Sequence, residues 1–108
     1  GRAVCSMTLM DHHLNNGGRV HGGVLTSLAD TAAGAAVRTM RPAGKASATT
    51  DLNVAFIRPP SSDTLVAIAQ VIYAGKALFR TEITVNSDNK LVARANATFM
   101  IVSPLANS

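Results

Sequence analysis

The stretch 15–30, NNGGRVHGGVLTSLAD, decides how the chain reads. Its first half is polar and rich in glycine, with Gly17, Gly18, Gly22 and Gly23 on either side of His21, and so reads as a loop. Its second half begins a helical period that runs from Gly23 to about Met40. At about 100° per residue, Leu25, Leu28, Ala29, Ala32, Ala35 and Ala36 fall on one side. Asp30 falls on the other, flanked by Gly23, Thr26, Ser27, Ala33, Gly34 and Val37. A helix face turned to water normally carries Lys, Glu or Gln; this one is merely small. Both faces are therefore expected to be covered, with Asp30 beneath a closely packed surface. Arg38 and Arg41 suit the negative end of a helix, and Pro42 stops it.

Outward from that helix the period changes to two. Residues 2–10 place Ala3, Cys5, Met7 and Leu9 on one face and Val4, Ser6 and Thr8 on the other, which makes a strand. Residues 46–57 place Thr50, Leu52, Val54 and Phe56 together, and a Pro/Ser turn follows at 58–63. Residues 64–73 are apolar on both faces. Residues 77–86 turn Phe79, Ile83 and Val85 inward and Arg80, Glu82 and Thr84 outward. A hairpin turn at 87–90 leads to residues 91–102, where Leu91, Ala93, Ala95, Ala97, Phe99 and Ile101 share a face. The order is one strand, one helix and four strands, without repeat or linker.

That order predicts an α+β domain over residues 1–108 with a single antiparallel sheet. Five strands about 4.8 Å apart make a sheet roughly 24 Å wide, against a helix about 10–12 Å across. The helix is fully buried only if the sheet curls around it. The second apolar face of residues 64–73 still needs cover, and another copy of the chain is the expected one.

Composition narrows the function. The chain has 108 residues, 47% hydrophobic, 15% charged and 4% aromatic, enough apolar surface for a packed core. Its net charge of +4 comes from scattered Lys and Arg, with no basic run, no Trp and one Tyr, so a base-stacking nucleic-acid surface is not expected. No apolar run reaches the roughly 20 residues of a membrane helix, so no membrane partner is expected. The single cysteine, Cys5, leaves no internal disulfide and fits a cytoplasmic setting. His12, His13, His21 and Asp30 match no standard metal spacing, and the glycines lack the Lys-Ser/Thr of a phosphate loop.

The segments HGGVLTSLAD (21–30), LNVAFIRP (52–59) and LVARANATFMIV (91–102) resemble the acyl-CoA thioesterases of the hotdog fold. The nearest group is the phenylacetic-acid-degradation and 4-hydroxybenzoyl-CoA thioesterases, and the resemblance covers nearly the whole chain. It implies a curved sheet wrapped on one central helix. It also implies hydrolysis of an acyl- or aryl-acyl-CoA to a free acid and coenzyme A, with no cofactor beyond the coenzyme A of the substrate.

The resemblance assigns roles. Gly22 would be the oxyanion hole, since backbone N–H groups at a helix start are unpaired and lie at the positive end of the dipole. Gly23 beside it would touch substrate, and His21 would shape the loop and assist polarisation. Asn15 would hold the attacking water or the thioester. Asp30 would be the general base or the nucleophile, and Thr49 would help to hold the water. Arg58, Lys76 and Arg80, with Arg41, are candidates for the coenzyme A phosphates. Asp30 lies eight residues beyond Gly22, about 12 Å along the axis, too far for one acyl group. In the family a dimer joins Asp30 of one chain to Gly22 and Asn15 of the other, and a dimer of dimers is expected. Two other readings are a hotdog dehydratase or hydratase, which pairs a catalytic His with an acid differently, and a non-catalytic acyl-CoA sensor, which needs no acid at position 30.

Overall fold

The computed structural model describes residues 1–104; the end of the expected domain, residues 105–108, lies outside the described residues. Its elements are β1 (Arg2–Thr8), α1 (Gly22–Arg38), β2 (Ala46–Phe56), β3 (Thr64–Ala74), β4 (Leu78–Ser87) and β5 (Lys90–Val102). The strands form one sheet in the order β1-β3-β4-β5-β2, with every neighbouring pair antiparallel. β1 and β2 are its edges. One helical turn, Asp11–His13, interrupts the loop that precedes α1.

The helix lies on the sheet through alanine. Ala29, Ala32, Ala33 and Ala36 are fully buried, and they meet a strand face of similar small residues, including Ala67, Ala69, Ala93 and Ala97. Small residues on both sides let the helix sit low in the curl, and Leu65, Phe79, Ile83, Val85 and Phe99 fill the space around it. No helix among the described residues is long and apolar enough to cross a membrane.

Four expectations shift. The helix begins one residue earlier than expected, at Gly22, and ends at Arg38 rather than near Met40. Its buried arc is also wider: Ala33 and Val37, expected beside Asp30, are fully buried, while Ala35 is half-buried. The curled sheet reaches round to them. Asp30 then stands at the rim of the buried arc, only about 20° from Val37. It is half-buried, and its small neighbours Gly23, Ser27 and Thr31 are exposed in the single chain.

The third shift is in β2. Its pairing with β5 slips between Thr49 and Asp51, so Thr50 is an extra, bulged residue. Thr49 stands opposite Phe99 and Leu52 opposite Ala97, both buried partners on the helix side. Thr50 leaves the expected inner row, and its hydroxyl donates to the Thr98 carbonyl instead, at 3.2 Å. Fourth, β5 carries its own irregularity. Asn86 pairs with Leu91 and Val85 with Ala93, so Val92 is the extra residue and becomes fully buried, whereas Leu91 is only half-buried.

Candidate active site

Asp30 is held by one side chain. The Thr49 hydroxyl donates to its Oδ1 at 2.9 Å. Strict alternation counted back from Leu52 would turn Thr49 away from the helix; the bulge at Thr50 reverses that. The pair lies in an open cleft of about 320 Å³ between α1 and the start of β2, with Arg38, Arg41 and Ser47 on the same walls. Arg41 Nη1 donates to the Ser47 hydroxyl at 3.3 Å.

Gly22 lies in a different cleft, of about 370 Å³, lined by Val20, Leu25, Phe56, Arg58 and Pro59 among others. It opens the helix after His21, whose extended backbone (φ −61°, ψ 135°) forms the N-cap without a side-chain cap. The Val24 N–H donates to the His21 carbonyl, but among the described residues the N–H groups of Gly22 and Gly23 have no partner. Two free donors therefore stand at the positive end of the dipole.

The His21 side chain faces a third cleft, of about 610 Å³, shared with His13, Gly23, Val24 and Thr31. Its backbone N–H donates to the His13 carbonyl at 3.0 Å, which ties the loop to the helix start. Asn15 folds that loop. Its Oδ1 accepts the N–H groups of Gly17 at 2.9 Å and Arg19 at 3.1 Å, leaving the side-chain amide nitrogen as its remaining polar group.

The basic candidates are not brought together. Arg58 stands in the cleft of Gly22. Lys76 lies in the β3–β4 turn, at the end of the sheet where β2 begins, far along the strands from Gly22. Arg80 lies on the sheet face away from the helix, bonded to Thr98 Oγ1 and Asn96 Oδ1 and 3.7 Å from Asp51. Within one chain, then, Asp30 joins Thr49 and Gly22 joins Arg58, and neither pair meets the other. The sequence reading did not single out Phe56, Arg38 or Ser47 as lining these clefts. The inward row Leu52–Val54–Phe56 held the signal for the first.

The thioesterase superfamily model matches residues 17–93, which include both clefts' principal residues. The chain belongs to the thioesterase superfamily. Within that family it is 44% identical over 96 residues to the acyl-coenzyme A thioesterase PaaI of Escherichia coli, covering 86% of this chain and 66% of that protein. The solved structure of E. coli PaaI superposes with a TM-score of 0.86 at 34% identity, over 94% of this chain and 73% of that one. A Bacillus halodurans protein, BH2602, crystallised with CoA, superposes with a TM-score of 0.89 at 27% identity, over 94% and 68%. The architecture is that of the hotdog thioesterases, as expected. The chain spans 51% and 66% of the length of the first curated relatives it matches.

Proposed function

We propose that the chain is an acyl-CoA thioesterase whose site is completed by a second copy. Water adds to the thioester carbonyl carbon, Asp30 takes the proton, the carbonyl oxygen becomes an oxyanion at the Gly22 N–H, and the carbon–sulfur bond breaks. The sulfur leaves as the coenzyme A thiol once protonated, and the acyl group leaves as a free acid. A backbone donor at the oxyanion contributes about 3–4 kcal/mol in the transition state. Thr49 holds one oxygen of Asp30 and leaves the other for the water. His21 and Asn15 hold the loop that presents Gly22.

The observation that carries this reading is the separation of Asp30 from Gly22 into two clefts beside an open strand edge. β2 is 11 residues long, contains neither Pro nor Lys, and has one charged residue, Asp51. Edges meant to stay unpaired are usually short or carry Pro or Lys, and β2, apart from its single bulge at Thr50, has none of these features. A two-fold pairing there brings Asp30 of one copy toward Gly22 of the other, and a pair of such dimers gives the tetramer. Relatives named acyl-CoA thioesterases support the substrate class. Arg58, which with Arg19 lines the cleft of Gly22, is the candidate to meet a coenzyme A phosphate there.

The test is thiol release from a panel of acyl-CoAs, followed by mixing of two dead variants. Gly22→Pro removes the N–H at the first helical position, where proline is tolerated, the preceding residue is already extended, and the added carbons need only turn the half-exposed Phe56 ring slightly aside. Co-expressed with Asp30→Ala, it should restore about a quarter of wild-type activity. Random pairing makes about half the dimers mixed, each with one intact site of two. No restoration would place the whole site in one chain. Tight acyl-CoA binding without thiol release by the wild type would make the domain a sensor.

A further inference from the structure

A glycine at position 22 lets a thioester come close to the free N–H, because it has no side chain in the way. The structure adds a second reason, on β2. A Cβ at position 22 would stand 3.2 Å from the Cζ of Phe56 and 3.5 Å from its Cε1. The backbone makes no demand for glycine there. Only Gly18 and Gly44 among the glycines have positive φ, at 74° and 77°. What limits a side chain there is space, since a Cβ would have to push the Phe56 ring aside by a few tenths of an ångström.

Phe56 reaches this point because of where β2 ends. Leu52 and Val54 face the helix body and pack on the core. Phe56 is the next inward residue and the last of the strand, level with the first turn of α1. The ring is 57% exposed: its tip meets Gly22 and the rest walls the cleft with Ile57, Pro59 and Pro60. The backbone beyond it is pinned, since the N–H groups of Ile57 and Arg58 both donate to the Val92 carbonyl, at 2.8 and 3.2 Å.

We infer that Phe56 is a positioning residue for the proposed thioester hydrolysis. Its ring braces the first turn and keeps water from one side of the free Gly22 donor, so that residues 22 and 56 act as a unit. This rests on the thioesterase reading. An apolar wall beside a hydrogen-bond donor strengthens what the donor does to a developing negative charge. A small displacement of that donor is costly to the reaction even where binding survives.

The experiment is a double-mutant cycle on the full chain, with kcat and KM for an acyl-CoA that the wild type hydrolyses and a melting curve for each protein. Gly22→Ala and Phe56→Ala should each lower kcat about tenfold with KM changed less than about threefold, and the double variant should be no worse than about tenfold. Phe56→Met, which keeps an apolar side chain of similar reach and adds no polar group at the tip that meets Gly22, should recover most of what Phe56→Ala loses. A hundredfold loss in the double variant, a loss confined to KM, or full kcat in Phe56→Ala would each overturn the inference while leaving the activity standing. If Gly22→Ala does not fold, the comparison of Phe56→Ala with Phe56→Met decides alone. A folded wild type that releases thiol from no acyl-CoA would remove the thioesterase reading, and this inference with it.

Discussion

Two neighbouring strands each carry one extra residue, and the two bulges do different work. In β2 the extra residue is Thr50, half-way along an exposed edge, and its effect is on side chains: it turns Thr49 toward Asp30. In β5 the extra residue is Val92, fully buried, and its effect is on the backbone: its carbonyl takes two N–H groups from the segment after β2. One bulge aims a hydroxyl at the carboxylate of one cleft. The other anchors the strand end that walls the other cleft. The difference teaches that an irregularity at an edge is open to chemistry, while one in the core is tied to stability.

The strongest way to break that contrast is Asp30→Ala. It removes the acceptor that the β2 bulge serves, and kcat should fall by about 10²–10⁴ with the fold intact by circular dichroism. Unchanged turnover would leave the β2 bulge without a function. Val92→Ala should give the opposite signature. Loss of two buried methyl groups costs about 2 kcal/mol, lowering Tm by roughly 10 °C. The carbonyl anchor remains, so kcat of the folded protein should stay near wild type; a matching drop in kcat would merge the two roles.

A finer probe is the adjacent pair in β2. Thr49→Val keeps the shape and removes the donor to Asp30, which should cost about tenfold in kcat, or about 1.4 kcal/mol. Thr50→Val removes a hydroxyl that reaches only the Thr98 carbonyl, so its kcat should change less than about twofold. Equal losses would show that the bulge does not select between them. The smallest effect is expected at Asp51→Ala, on the outer face. Its ion pair with Arg80 is 3.7 Å long and partly exposed, and its other partner, the Thr98 hydroxyl at 3.1 Å, keeps a bond to Arg80, so the loss should be about 1 kcal/mol or less in urea unfolding and should shrink in high salt.

Much of the fold was legible because hydrophobic period tracks the backbone. The change from two to 3.6 at the glycine loop and back at Pro42 placed every main element, and the Asp88-Asn89 turn, with φ of 51° and 61°, joins β4 to β5 where the polar turn residues predict it. The bulges were not legible, because alternation carries no mark for a residue that drops out of it. For that reason period two put Thr50 on the inner face, and only the family resemblance pointed to Thr49. Ala33 and Val37 were misplaced for a related reason: a helix pattern shows which residues are apolar, but not how far a curling sheet reaches round them. At the candidate site, the types and spacing of Asn15, His21, Gly22 and Asp30 carried the resemblance to the family. The clearance between Gly22 and Phe56 was not, since it depends on where one strand ends against another element.

The Asn15 side chain divides its two ends between two tasks. Two backbone N–H groups point at Oδ1, which fixes that atom as the oxygen and the free end as the nitrogen. Fold and offered chemistry are therefore separable at a single atom. An Asn15→Asp chain keeps an acceptor for Gly17 and Arg19, so the loop closes as before, yet it presents an acceptor of negative charge where the natural side chain presents a donor. The turn is indifferent to that exchange, and anything seated above it is not.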